Sequence, residues 1–371
     1  MPNVAIVGSA SWGTALGIVL ARKGAHVRLW TRTKEEAKRL NKERENVTYL
    51  PGFRFPSRLA ATDSMEEAMK KADAVVLAVP AQRIRENAQW VKDYLQDSVL
   101  VVSAAKGLEI DTGKRMSEVL KEELGNKHRS RICVLSGPNI APEAAQGLHS
   151  VAVVASHDMA VAERAQHILM AKSFCLFPST DVVGVELGGA LKNVVALGAG
   201  VADGLNYGDN AKAAFITRGL AEITALGRAM KADPLTFAGL ACIGDILATC
   251  YSPFSRNHYV GVELAKGRSL AEVMNSMPHV AEGITTTQAT IVLAQRVGVE
   301  MPIAETLHEV LYDGLEPKKA VARLVRPPAE HELARIKEKP RPAEELARKR
   351  WSGLPLPWQP AVNRISPGVS P

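Results

Sequence analysis

Asn3–Trp30 reads NVAIVGSASWGTALGIVLARKGAHVRLW, and its order of signals decides the fold. Asn3 to Gly8 is a short apolar run ending in glycine, the pattern of a strand buried on both faces. Thr14 to Lys23 has a helical pattern, and Gly24 stands at a helix C-cap position. His26 to Trp30 is a second strand. A strand, a glycine turn, a helix and a parallel strand form a βαβ unit, and here Gly8 and Gly13 flank the turn where a dinucleotide pyrophosphate would lie. The usual G-x-G-x-x-G pattern is altered, because Ala10 stands at the second glycine. After the second strand the chain reads Trp30-Thr31-Arg32-Thr33-Lys34. An acid here would bond a ribose 2′-hydroxyl; Arg32 instead suits a 2′-phosphate, so NADP is favoured over NAD.

Working outward, the alternation continues. Ala74–Val79, Val99–Ser103, Arg131–Leu135, Val151–Ala155 and Phe174–Phe177 are apolar runs of strand length, with Gln82–Tyr94 helical between two of them. Ligands of open parallel sheets sit beyond the carboxyl ends of the strands. Lys106 and Gly137 follow two such ends, so both are expected at the crevice that the glycine turn faces.

From Val182 the strand signals fade and helical ones replace them. Ser179–Leu205, STDVVGVELGGALKNVVALGAGVADGL, is apolar yet carries Lys192 in its middle. On a helix Lys192 shares its face with Gly188, Gly189, Val195 and Ala196, which leaves room for a bulky neighbour beside the ammonium. An unpaired buried ammonium is costly, so Lys192 needs a partner, and proton transfer is the expected use of such a group. Asp245, an acid in the apolar run Cys242–Leu247, is the partner expected if the two helices touch. Ser255-Arg256-Asn257 gathers a hydroxyl, a guanidinium whose fork matches phosphate oxygens, and an amide. Pro234–Thr249 is expected as one helix. Glu282 opens another, where the helix dipole favours an acid. The chain is therefore read as α/β: a Rossmann-like parallel-sheet domain over residues 1–181, an all-α domain over 182–326, and a proline- and charge-rich tail over 327–371, in which Trp351 and Trp358 could dock on the body.

Composition narrows the function classes. The 371 residues suffice for two cores, and a net charge of +7 suits an anionic ligand without calling for nucleic acid. Four cysteines lack any Cys-x-x-Cys spacing, and Cys133 and Cys175, in strand-like runs, are expected as buried thiols in a reducing compartment. The nine histidines show no metal-ligand spacing. Glu186 and Lys192 interrupt the longest apolar run, which argues against a membrane helix. The expectation is a soluble cytoplasmic enzyme without a metal.

Taken together, VAIVGSASWGTAL, AAKGLE, SGPNIAPEAAQGL, DVVGVELGGALKNVVALGAGVADGL, GLACIGDILATCYSPFSRNHYVG and VAEGITTTQA resemble the bacterial-type NAD(P)-dependent glycerol-3-phosphate dehydrogenases over about residues 3–325. The resemblance implies interconversion of dihydroxyacetone phosphate and sn-glycerol 3-phosphate, feeding glycerophospholipid synthesis. It implies Lys192 as proton donor and acceptor, with Lys106 and Asp245 in the catalytic set. Substrate contacts are implied for Lys106, Gly137, Asn139, Lys192, Asp245, Ser255, Arg256 and Asn257. Cofactor contacts are implied for Ser11, Trp12, Arg32, Lys106, Ala141, Arg256, Val280 and Glu282, beside Gly8 and Gly13 of the turn. The sequence departs from the family at Ala10, at Asn139 where Ser or Thr is usual, and at Ile140 where Phe is common. The partners expected are a small phosphate ester and, by the habit of soluble oligomers, a second copy in a homodimer. Two rival readings are a related two-domain dehydrogenase acting on a hydroxy acid and a non-catalytic nicotinamide-binding sensor.

Overall fold

The computed structural model describes residues 1–277 and 281–325, with Ile336 and Pro340; the rest of the tail read at 327–371, including Trp351 and Trp358, lies outside the described residues. Ten strands precede residue 180: β1 (Asn3–Val7), β2 (His26–Trp30), β3 (Glu45–Asn46), β4 (Leu50–Arg54), β5 (Leu59–Thr62), β6 (Ala74–Leu77), β7 (Leu100–Ser103), β8 (Ile132–Ser136), β9 (Ser150–Ala155) and β10 (Phe174–Ser179). Between them run α1 (Ser11–Lys23), α2 (Lys34–Glu43), α3 (Met65–Met69), α4 (Ile84–Lys92), α5 (Met116–Leu124), α6 (Ala141–Gln146) and α7 (Met159–Leu169). Eight strands form one sheet in the order β10-β9-β8-β7-β6-β1-β2-β5, while β3 and β4 make a separate hairpin.

The sheet is parallel except where β8 meets β9. An entirely parallel series was expected. The connection from β8 to β9 carries only α6, of six residues. A helix that short rises about 9 Å, too little to return along a strand, so the chain re-enters the sheet from the same end and runs backward. By contrast, α7 has 11 residues and makes a full crossover, so β10 is parallel to β9. β10 is an edge strand, and its alternate residues face out. Cys175 is one of them and is exposed, not buried as expected; Cys133, on interior β8, is buried.

The remaining elements are helices: α8 (Val182–Gly204), α9 (Gly208–Ala229), α10 (Pro234–Phe237), α11 (Asp245–Tyr251), α12 (Arg256–Ala265), α13 (Leu270–Asn275), α14 (Glu282–Val297), α15 (Pro302–Tyr312) and α16 (Pro317–Val325). The single helix expected over 234–249 is broken. Gly239 adopts an extended conformation, and a wide turn over Leu240–Gly244 separates α10 from α11. That break aims Asp245 inward from the first turn of α11. By length and composition α8 could cross a bilayer, but 89% of its apolar window is buried inside the fold. It is the core helix, packed most extensively against α12. The two helices touch backbone to backbone: a Cβ on Gly261 would stand 2.0 Å from Leu197 O, and one on Gly200 would stand 2.1 Å from His258 O. No side chain fits at either position without moving backbone.

Candidate active site

At the end of β1 the turn is shaped by contacts between backbones. Gly8 has φ +117°, and a Cβ there would lie 2.5 Å from Ala78 O. A Cβ on Gly13 would lie 2.0 Å from Gly8 O, so α1 starts against the turn itself. Ala10 is the α1 N-cap in ordinary extended geometry, φ −72° and ψ −178°, and is exposed. Its methyl therefore leaves the turn undistorted. No side chain caps α1. Its first N–H groups lack intrahelical acceptors, which together with the helix dipole makes a ready anion site. The cradle fits the pyrophosphate of a dinucleotide. Ser11 and Trp12 open α1; the Ser11 hydroxyl donates to Tyr49 O at 2.7 Å, and the Trp12 ring meets Phe174 edge-on at 6.1 Å. Arg32, half-exposed past β2, lies 5.8 Å from the centroid of the Trp90 ring and 3.9 Å from Glu86. Ala141 is the first residue of α6 and packs on the sheet core.

Opposite the strand ends, one carboxylate gathers two ammonium groups. Lys106 Nζ donates to Asp245 Oδ2 at 2.6 Å and to Gly137 O at 2.8 Å. Lys192 Nζ lies 3.0 Å from Asp245 Oδ1 and donates to the Thr249 hydroxyl at 2.6 Å. Thr249 in turn donates to Asp245 Oδ1 at 3.2 Å. The Asp245 side chain is 2% exposed and that of Lys192 10%. Burial alone would raise the Asp245 carboxyl, but Lys106 and Lys192 overcome it and hold it below the usual carboxylate range. Burial pushes the Lys106 ammonium down, and nearby Lys192 adds to this against the opposing pull of Asp245. Desolvating such ions costs several kcal/mol each, and apolar packing would serve stability better. The arrangement is the kind expected of a functional site.

Room beside Lys192 was expected from Gly188 and Gly189, but the protein itself fills it. A Cβ on Gly189 would meet Ser136 Oγ at 2.2 Å, and one on Gly188 would meet Cys242 Cβ at 2.7 Å. These glycines bring α8 against the end of β8 and the turn before α11, which is how Lys192 reaches Asp245. Gly137 serves the same packing: its Cβ would stand 2.6 Å from Ala152 Cα.

The Ser-Arg-Asn corner divides its work. Ser255 caps α12, its hydroxyl accepting from His258 N at 3.2 Å. Asn257 is buried and its amide is engaged at both ends, donating to Asn193 Oδ1 at 2.7 Å and accepting from Gly283 N at 2.8 Å. Arg256 is exposed, and among the described residues its guanidinium makes no hydrogen bond. As the first two residues of α12, Arg256 and Asn257 also have backbone N–H groups without intrahelical acceptors. Glu282 opens α14 and accepts from Ala81 N at 3.1 Å, joining α14 to the end of β6. Burial raises its carboxyl above the ordinary range, against the pull of the Ala81 N–H, Arg256, Lys192 and Lys106. Asn139 spends its amide on Pro138 O and Val151 O, both at 2.9 Å. Val280 lies outside the described residues.

Two residues at the centre escaped the sequence reading. Thr249 stands four residues after Asp245, the spacing that puts both on one helix face. Asn193 adjoins Lys192 and donates to Lys106 O at 3.3 Å. Among the described residues no group of three or more His, Cys, Asp or Glu is gathered to hold a metal ion.

A cleft of this make can take a dinucleotide along the strand ends and a small anion among the lysines, which puts the chain in the class of nicotinamide-dependent dehydrogenases. Its relatives say which. Residues 3–162 match the N-terminal part, and residues 181–322 the C-terminal part, of the NAD-dependent glycerol-3-phosphate dehydrogenases. A glycerol-3-phosphate dehydrogenase [NAD(P)+] of Dehalococcoides mccartyi is 50% identical over 335 residues, covering 90% of this chain and 93% of that one. One from Pelotomaculum thermopropionicum is 45% identical over 334 residues, covering 90% and 96%. The crystal structure of glycerol-3-phosphate dehydrogenase from Coxiella burnetii superposes with a TM-score of 0.83 at 33% identity, covering 88% of this chain and 99% of that one. The chain belongs to the NAD-dependent glycerol-3-phosphate dehydrogenase family. It is an oxidoreductase that uses NAD or NADP.

Proposed function

We propose that the enzyme reduces dihydroxyacetone phosphate to sn-glycerol 3-phosphate and runs the reverse reaction, with its chemistry at the Asp245 centre. The observation that carries this reading is the pair of lysines on one buried carboxylate, with the Arg256 guanidinium and both lysines close enough to act on the Glu282 carboxyl. Residues 1–181 supply the cofactor wall, and residues 182–326 supply most of the substrate wall. Gly8, Gly13, Ser11 and Trp12 receive the pyrophosphate side of the cofactor; Arg32, Ala141 and Glu282 complete its surroundings. Arg32 favours NADP, since residues 30–34 at the end of β2 carry no acid.

Arg256 binds the substrate phosphate with its guanidinium fork, helped by the backbone N–H groups at the start of α12. Asn257 acts by fixing that start against Asn193 and Gly283, and Ser255 by capping it. Lys106 holds the carbonyl or hydroxyl oxygen by charge, with Gly137 and Asn139 shaping the wall beside it. When bound, the reduced nicotinamide supplies the hydride that reaches the carbonyl carbon. Lys192 gives a proton to the forming alkoxide and takes it back in reverse, while Asp245 and Thr249 hold its ammonium in place. The product is a building block of glycerophospholipids. Four unpaired thiols accord with a cytoplasmic location. A homodimer is the partner state we assign, by the general habit of soluble oligomers.

Steady-state reduction of dihydroxyacetone phosphate, with NADH and NADPH side by side and a panel of unphosphorylated keto acids, tests the reading. Turnover of dihydroxyacetone phosphate with a lower KM for NADPH is expected. A preference for an unphosphorylated acid would remove the role given to Arg256 and favour the hydroxy-acid reading.

A further inference from the structure

A second, partly buried polar cluster lies behind the corner that carries Arg256. Asp203, near the end of α8, meets two partners on one oxygen. Lys212 Nζ of α9 is 2.6 Å from Asp203 Oδ2, and His258 Nε2 of α12 is 2.7 Å from the same atom. Lys212 is only 5% exposed, and its ammonium also lies 4.2 Å from the centroid of the Tyr251 ring. Burial alone would raise the Asp203 carboxyl, but the hydrogen bonds from Lys212 and His258 prevail and lower it.

The positions of these partners matter. Tyr251 is the last residue of α11, and His258 is the third of α12. Between the two helices lies the four-residue stretch Ser252–Ser255, which leads directly into Arg256. The Asp203 carboxylate therefore holds both ends of that stretch, the far end through His258 and the near end through Lys212 and the Tyr251 ring. Docking of α12 on α8 does not need this carboxylate, since Gly200, Gly204 and Gly261 already bring the two backbones into contact. What the ions add is a fixed position for the first turn of α12 and the guanidinium it carries. Its bonds are also distinct from those of the proton-transfer centre: Asp203 meets Lys212 and His258, whereas Lys106 and Lys192 meet Asp245.

We propose that Asp203, with Lys212 and His258, is a positioning cluster for the substrate phosphate site, setting affinity for the phosphate ester and leaving proton and hydride transfer alone. It rests on the reading of Arg256 as the phosphate ligand. The test is a split of KM from kcat in Asp203→Asn, His258→Ala, His258→Gln and Arg256→Ala, with NADPH affinity measured by fluorescence. Losing the carboxylate charge in Asp203→Asn, or the His258 contact in His258→Ala, should raise KM for dihydroxyacetone phosphate about tenfold. Their kcat and NADPH affinity should stay near those of the unaltered enzyme. Gln presents an N–H near the place of Nε2, so His258→Gln should restore a KM near the original. If Arg256→Ala raises KM and Asp203→Asn does not, the positioning role is wrong while the phosphate reading stands. A fall in kcat at unchanged KM in Asp203→Asn, or no rescue by Gln, overturns it equally. If Arg256→Ala leaves KM unchanged, the phosphate reading falls and takes the cluster's role with it.

Discussion

Along the strand ends the cleft is lined by backbone. Gly8 and Gly13 are there for what they lack, since a Cβ at either would stand within 2.5 Å of a carbonyl oxygen. Across the cleft, the other wall depends on what its side chains carry: Lys106 from beyond β7 and Lys192 from α8 converge on Asp245 of α11, which Thr249 of the same helix also meets. The first wall is a shape, with little charge of its own beyond helix dipoles. The second is a set of close charged groups, in which the protonation of Asp245 and of Lys106 depends on the neighbours. The difference teaches where damage will show. Changes to the shape should alter cofactor binding and stability, and changes to the ions should alter turnover and its pH dependence.

The largest expected effect separates the walls outright. Lys192→Ala removes the proton donor and should lower kcat by about 10²–10⁴-fold. NADPH affinity, measured by fluorescence titration, should be nearly unchanged; if it collapsed as well, the two walls would not be separable. The converse change is Gly13→Ala. Its methyl would press on Gly8 O, backbone that cannot swing aside, and overpacking of this kind costs about 1–3 kcal/mol. A lower Tm and weaker NADPH binding are expected, with residual turnover at saturating cofactor keeping its pH profile.

These two changes also mark what was legible in the sequence. Gly8, Gly13 and Gly24 could be read because a turn writes its requirement into neighbouring residues. Lys192 and Asp245 stood out singly, as charges in apolar runs. That Lys106 shares the same carboxylate was not legible, for the pair is 139 residues apart and nothing local records a contact through space. The reversal of β9 was missed because a strand's own sequence does not state its direction; the shortness of α6 does so only once its bounds are known. Cys175 misled for a similar reason, since the continuous apolar run Phe174–Phe177 reads as an interior strand although it lies at the sheet edge. Gly188 and Gly189 were read as room for a bulky neighbour beside Lys192, and the neighbours they admit are Cys242 and Ser136.

Smaller effects sharpen the electrostatic side. Lys106 sits below the ordinary lysine value of 10.5, chiefly through burial. Its ammonium is the form that holds substrate oxygen, so kcat/KM should fall as pH rises through that lowered value, before 10.5 is reached. A profile flat to 10.5 would deny Lys106 this part. Smallest is Glu282→Gln. Burial raises the Glu282 carboxyl above 4.5, so its ionised form costs stability at neutral pH, whereas below 4.5 the side chain is protonated in both folded and unfolded chains. Gln can keep the acceptor for Ala81 N. A slightly higher Tm at pH 7 is expected, with the gain vanishing in acid; a loss at pH 7 would mean that the charge itself stabilises the junction.

The account turns on a single carboxylate holding two lysine side chains in place, and the pH profile of kcat for dihydroxyacetone phosphate reduction by Asp245→Asn tests it most directly. Without the negative charge Lys106 gives up its proton more readily, so kcat should fall and the alkaline limb should move to lower pH. An unaltered kcat with its alkaline limb unmoved would contradict the account.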